Sequence, residues 1–533
     1  MTQVTITDGS GWDPMKCTLV WFVSGLSLVA IVVILSVLVV SQQASDVSHT
    51  VMDVGSTAPS PLPTTAPTSI KSYLLSLLPD ETIVALNDDE SPQSQAFEWL
   101  LVDPFLDEFT EWRIQQRFAL MTLYYATGGN SNWFNNTNWG SSINECYWFA
   151  AAPCECDVIL KLPVDNDTKV DLLSTNPCGI GYQSTPNDTE LSSGTFGGRY
   201  QNLLLSQNGL QGAIPEEVFL LLTSLSNFQV HLNELSGSIS TFVRELSSLQ
   251  IFSVFNNHLS GTIPTELFFI PTLLEIDAFH NEITGTLPSE VGIPDLAGLL
   301  FDGNLLTGTL PSELGAQVAS SLMTRLYLND NSFQGTLPSD IGHLTLLEPI
   351  FVSSNLLSGT LPSQLGLLTN LHTISFRRNL FTCSLPSDLG KLTSLLNLGL
   401  NNNQLDGTIP SEVGNMRSLV AFVVHFNALT SSIPTELGRL ESLDTLALLN
   451  NFLSCTIPTE LAMLHQLRKM YLWTNELTGP IPSEFGVLPK LNFLSIEENQ
   501  LSSMVPTELG RLSQLEALYA HRNQLSGPIP SEL

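Results

Sequence analysis

From Leu203 onward the apolar positions follow neither a helical nor a simple strand period but a longer one. An Asn recurs at 208, 233, 257, 281, 304, 331, 355, 379, 403, 427, 451, 475, 499 and 523, and ten of the thirteen intervals are 24 residues. Around each Asn the chain reads L-x-L-x-x-N-x-L-x-G-x-I/L-P-x-x-L-G-x-L-x-x-L, with Leu398, Leu400, Asn403, Leu405, Gly407, Ile409, Pro410, Val413, Met416 and Leu419 as one full copy. The L-x-L pair predicts a short strand with both apolar side chains inward and the residue between them outward. An Asn side chain both donates and accepts, so it can satisfy backbone groups that the inward turn would bury unpaired. Gly four residues later relieves a crowded turn. Pro seven residues later, present in thirteen of the fourteen copies (Ser240 is the exception), fixes φ where the chain crosses to the far side. No copy can bury its own apolar set. Stacking does so, which predicts an α/β solenoid whose strands join into one parallel sheet, an arc about 65 Å long at ~4.8 Å per strand.

Ahead of the array the pattern changes three times. Cys17–Val40 is a run of 24 residues without a charge, about 36 Å long as a helix and so enough to span a membrane. Lys16 precedes it, Asp46 and Asp53 follow, and the next basic residue is Lys71. That asymmetry predicts a cytoplasmic tail at 1–16, a single transmembrane helix at 17–40, and an exterior that begins at Ser41, hence a single-pass protein of the plasma membrane. Cleavage after Ser41, giving a secreted protein, is the alternative. Residues 41–70 include STAPSPLPTTAPTS from Ser56 to Ser69, an extended stalk. Residues 71–202 form a cap region: one or two short helices over Ser72–Asp103, then a longer helix near Asp107–Thr127. Its apolar face is given by Phe109, Trp112, Ile114, Arg117, Phe118, Met121 and Tyr124–Tyr125, and Gly128–Gly129 stops it. Residues 203–533 are the array.

Composition narrows the function. A net charge of −32 leaves no basic stripe for nucleic acid. Four of the seven cysteines, Cys146, Cys154, Cys156 and Cys178, share one stretch of the cap region with the sequons at Asn135, Asn166 and Asn187. In an outward-facing segment this pattern predicts glycosylation and two disulfides with three possible pairings. Zinc is the rival, but the spacing lacks the usual C-x2-4-C knuckles and a nearby His. Cys383 and Cys455 replace the repeat Gly; we expect both to be small buried thiols, too far apart to bridge. No nucleophile–base pair, metal cluster or phosphate loop is present, which predicts a non-enzyme without a cofactor.

The G-x-I-P form of the repeat, as in GTIPSEVG (Gly407–Gly414) and GPIPSEFG (Gly479–Gly486), resembles the plant-type leucine-rich repeat (LRR) of receptor-like kinases, receptor-like proteins and polygalacturonase inhibitors. QRFALMTLYYATGGNSNWFNNTNW followed by Cys146-x-Trp148 is similar to the N-terminal cap of that family, whose C-x-W-x-G-V-x-C pair closes a disulfide. Here FAAAPCEC takes the place of G-V-x-C, so Cys154 and Cys156 are alternative partners of Cys146. The lead-in after an N-terminal anchor looks most like the membrane-anchored LRR proteins of diatoms. The resemblance implies a right-handed arc with a parallel concave sheet, a helical, disulfide-bonded N-terminal cap, and ligands held on the concave face. No kinase motifs are present and the anchor precedes the repeats, unlike plant receptor-like proteins.

On that face, outward positions place Phe255, Phe279, Tyr327, Phe351, Arg377, Arg378, Phe426, Tyr471, Trp473 and Tyr519 as candidate ligand contacts, with His280, His425, Glu497, Glu498, His521 and Arg522 beside them. Tyr, Trp and Arg favour binding hot spots, and Arg377–Arg378 is suited to a carboxylate; cross-strand packing is the other use of outward aromatics. The expectation is a kinase-less receptor or co-receptor for an extracellular peptide, protein or glycan, with a signalling co-receptor as partner. An adhesion or wall-associated protein, or a hydrolase inhibitor, is the alternative. The fourteenth copy stops at GPIPSEL, so we expect either further repeats and a cap beyond Leu533 or a partner covering that end.

Overall fold

The computed structural model describes residues 67–103, 106, 111–129, 131–133, 180–182, 200–292, 296–316 and 322–533, all within the compact unit Leu62–Leu533. The expected membrane segment Cys17–Val40, the four clustered cysteines and the three sequons lie outside the described residues. Among the described residues no helix is long and apolar enough to cross a membrane.

Before the array stand three short helices, where one or two were expected, and one longer helix: α1 (Pro67–Leu75), α2 (Asp80–Ala85), α3 (Pro92–Leu101) and α4 (Glu111–Ala126). Pro67–Ser69, expected as the end of the stalk, instead open α1, because Pro is preset for the first helical position. At the start of α3, the Ser91 hydroxyl accepts the Ser94 N–H at 3.0 Å, satisfying one orphan donor. Helix α4 is buried along most of its length. Its Arg117, fully buried, pairs with Asp103 at 2.8 Å and lies 4.9 Å from the Trp99 ring centroid. Gly128 ends it with φ +75, and the Gly129 N–H returns to the Tyr124 carbonyl at 2.8 Å. The chain end of α4 covers the first repeat: the Gln211 N–H donates to the Thr127 carbonyl at 3.1 Å.

The array is a sheet of fourteen parallel strands, from Tyr200–Leu204 to Ala517–Tyr519, with Ile180–Tyr182 added antiparallel at the cap end. The central residue of each strand points inward in register with its neighbours, as in Ile374, Leu398, Phe422, Leu446 and Met470. All of these are buried. The repeat Asn does what its chemistry suggests. Asn379 accepts the Leu357 N–H at 3.0 Å and donates to the carbonyls of Val352 and Phe376 at 2.9 and 3.2 Å, tying each copy to the one before it. Short strands flank this sheet, and the Pro then opens a turn of 3₁₀ helix: Pro362, φ −69, precedes Ser363–Leu367. Where Ser240 replaces Pro, its hydroxyl accepts the Phe242 N–H at 3.3 Å and caps the turn instead.

Within the array another sequence expectation fails. Cys383 and Cys455 are exposed, not buried. The repeat needs Gly at this position for its backbone: φ is +74 at Gly359, +65 at Cys383, +69 at Gly407, +72 at Ser431 and +66 at Cys455. The side chains that replace Gly project to solvent, so no core is there to receive a thiol.

Candidate functional site

Within each copy, three positions leave the sheet on its outer face: the residue between the strand leucines, and the two residues just before the Asn. Copies stack in register, so each position becomes a column. The structure places the candidate residues in two aromatic clusters rather than one strip. In the first, His231, Phe255 and Phe279 form a continuous stack, with centroids 4.2 and 4.3 Å apart and planes within 14°. Tyr327 and Phe351 meet edge-on at 4.9 Å two copies further along. In the second, Phe426 meets Trp473 at 6.2 Å, and Tyr471, Phe493 and Tyr519 run across three strands at 5.0 and 5.4 Å. Between the clusters the columns carry Ser353, Ser375, Arg377, Arg378, Asn401 and Asn402.

Outward aromatics therefore pack on one another as well as facing solvent. Phe426 and Tyr519 are exposed, while Phe255, Phe279, Tyr327, Phe351, Tyr471 and Trp473 are half-buried. Arg377 and Arg378 are both exposed, and neither has a carboxylate partner among the described residues. Glu498, by contrast, is committed: it accepts the Thr474 hydroxyl at 2.7 Å and pairs with Arg522, bonds that hold its carboxyl below the usual range. Two contributors were passed over in the sequence. His231 occupies the same column as Phe255, one copy earlier. Phe493 precedes the first strand leucine, a position not counted as outward.

Burial sets the electrostatics of this face. It lowers His231 and His425 to about 4, so both imidazoles are neutral. It raises Tyr327 to about 12, with Arg325 opposing the rise. Near the first cluster lies a group of charges not foreseen from sequence. Glu275 pairs with Arg325 at 2.9 Å across Gly298, where a Cβ would stand 3.3 Å from the guanidinium. Asp302 accepts the Asn329 N–H at 2.7 Å, yet burial pushes its carboxyl up to about 7. Asp277 is held well above the carboxylate range by burial and then by Glu275. Among the described residues no grouping of His, Cys, Asp and Glu is suited to a metal ion. A cavity of ≈ 530 Å³ lined by Thr408, Ser432, Glu436, Cys455 and Glu460 involves none of the candidate residues.

The comparisons agree with this geometry. Family models described as leucine rich repeat match residues 465–525, 323–344 and 394–416. A plant peptide hormone receptor, RGFR1 in complex with RGF2, is 33% identical with a TM-score of 0.59, over 61% of this chain and 52% of that one. The Arabidopsis receptor kinase HAESA, in complex with the peptide hormone IDA and the co-receptor SERK1, is 32% identical with a TM-score of 0.60, over 62% and 55%. The array is made of leucine-rich repeats and is similar to those of plant receptors. The chain spans little more than half the length of those two plant structures. A bacterial LRR protein, LIC12759 of Leptospira interrogans, is 28% identical with a TM-score of 0.50, over 61% of this chain and 85% of that one. Among curated proteins no sequence matches. An LRR sheet of this kind, bearing side chains on its outer face and its structural Asn beneath, offers a broad surface for a ligand.

Proposed function

We propose that this LRR protein is a kinase-less receptor or co-receptor that binds an extracellular peptide along the outer face of its sheet. The observation that carries the reading is the pair of aromatic clusters flanking exposed, unpaired Arg377 and Arg378. An extended peptide crossing several copies would meet apolar anchors at both ends and a guanidinium fork for a carboxylate between them. The plant structures above are of receptors solved with peptide hormones, one of them with a co-receptor, which supports the same use here. With no kinase motif in the sequence, signalling would pass through a co-receptor. The 17–40 segment would anchor the chain in the plasma membrane, with the tail in the cytoplasm and the sequons outside.

Selection of peptides from a display library on the full-length chain tests the reading. Replacing Tyr471 and Trp473 with Ala should weaken a selected peptide by about 2–4 kcal/mol. Unchanged affinity would remove the second cluster from the site. Retention of polysaccharide with no peptide selected would favour the adhesion role instead.

A further inference from the structure

The ring stack of the first cluster ends abruptly. His231, Phe255 and Phe279 occupy successive copies of one column, and the next residue in that column is Asp302; the His280 ring lies over the adjoining Gly303 and meets Phe279 edge-on at 5.2 Å, leaving the stacking direction of Phe279 to Asp302. Along its own strand Phe279 is flanked by Asp277, two residues earlier on the same outer face. The last ring of the stack therefore sits in a corner between two carboxylates. Neither has a counter-ion of its own. The nearby cation, Arg325, is committed to Glu275 at 2.9 Å. Asp302 is bonded to a neutral backbone N–H and has Asp330 close by. The Asp277 carboxyl accepts a hydrogen bond from the Ser253 side chain, but its Oδ1 is buried without a hydrogen-bond partner, which is costly.

We propose that the Asp277–Phe279–Asp302 corner binds one guanidinium side chain of the peptide ligand, stacked on the end of the His231–Phe255–Phe279 column and paired with the two carboxylates. This specifies the ligand of the binding face and rests on the peptide-binding reading above. Three features select guanidinium over other cations. Its plane continues a stack of planar rings, its fork matches a carboxylate, and it gives up its hydration more readily than an ammonium. A metal ion is disfavoured because these carboxylates are not grouped as metal ligands. The corner lies at the copies of Asn281 and Asn304, so it would fix the register of a peptide that runs on across Arg377 and Arg378 to the second cluster.

The test uses the full-length chain and two probes, Nα-acetyl-arginine methylamide and its citrulline counterpart, which keeps the shape and loses the charge. Equilibrium titration followed by NMR should show the arginine probe bound about tenfold or more tightly than the citrulline probe. Asp277→Asn with Asp302→Asn should abolish that difference, while Met463→Ala, on the 3₁₀ side of the array, leaves it intact. Equal binding of the two probes, no binding of either, or a preference that survives the double substitution overturns the proposal. The comparison of probes on the unaltered chain requires no variant to fold. Its result is also separable from that of the peptide selection: a library that yields no peptide defeats the receptor reading, whatever the arginine probe does.

Discussion

Replacing one ladder asparagine deep in the array, Asn379→Ala, should cost far more than the loss of a polar side chain usually does. Asn379 is 5% exposed. Its side chain accepts the Leu357 N–H and donates to the carbonyls of Val352 and Phe376, all at 2.9–3.2 Å. Alanine removes three bonds worth roughly 0.5–1.5 kcal/mol each and leaves a backbone N–H buried without a partner, a further 1–3 kcal/mol, so a loss of about 2.5–7.5 kcal/mol follows. Asn523 makes the equivalent bonds to Leu501, Ile496 and Ala520 but is only half-buried in the last copy. Water can replace its partners there, so Asn523→Ala should cost about 1–2 kcal/mol. Urea unfolding by circular dichroism reads the stability. Because a repeat array can unfold piecemeal, amide exchange at Leu357 reads the local loss directly. A cost below about 1 kcal/mol for Asn379→Ala, or equal costs at the two sites, would refute the reasoning that burial makes these bonds valuable.

Cys383→Gly and Cys455→Gly should each raise stability by about 0.5–1 kcal/mol, since relief of a positive φ exceeds the entropy that Gly adds to the unfolded chain; a lower urea midpoint would contradict this. Gly390→Ala should cost about 2–3 kcal/mol by overpacking, because the new Cβ would lie 2.3 Å from the Glu412 carbonyl oxygen of the next copy. Asp302, raised by burial to about 7 beside Asp330 and the bonds from Asn329, binds its proton more tightly folded than unfolded. Its contribution should therefore be most favourable at or below the ordinary carboxylate range and be lost as pH rises to about 7. Asp302→Asn should flatten that slope between pH 4 and 7, and an unchanged thermal-midpoint profile would argue against it.

The repeat was legible because each of its positions has a single steric or hydrogen-bonding task that few residue types perform. Asn379 binds to Val352 and Leu357 of the preceding copy, and its recurrence alone marks where every copy turns inward. The Gly position was read correctly as crowded but incompletely as to cause. Treating Cys383 as a size substitution put it in the core, whereas the positive φ it shares with Ser431 points it out. The outward aromatics were found because their columns follow from the strand pattern, yet their division into two clusters was not, since that depends on lateral packing. Least visible was the Glu275–Asp277–Asp302–Arg325 group. Its members lie on or just after three strands separated by two of the three irregular intervals, 281 to 304 and 304 to 331. Only the observed pairing of Glu275 with Gly298, and of Gly298 with Arg325, brings them onto one patch.

Hydroxyl-radical footprinting of the full-length chain, with and without a library-selected peptide, addresses the central claim most directly, because aromatic and sulfur-bearing side chains report their own exposure. A ligand lying on the outer sheet face should protect Phe255, Phe279, Phe426, Trp473 and Tyr519, while Phe269 and Met463, 59% and 61% exposed on the 3₁₀ side, should keep their reactivity. Protection of Phe269 and Met463 with the sheet aromatics unchanged would contradict the account and move the binding surface to the other side of the array.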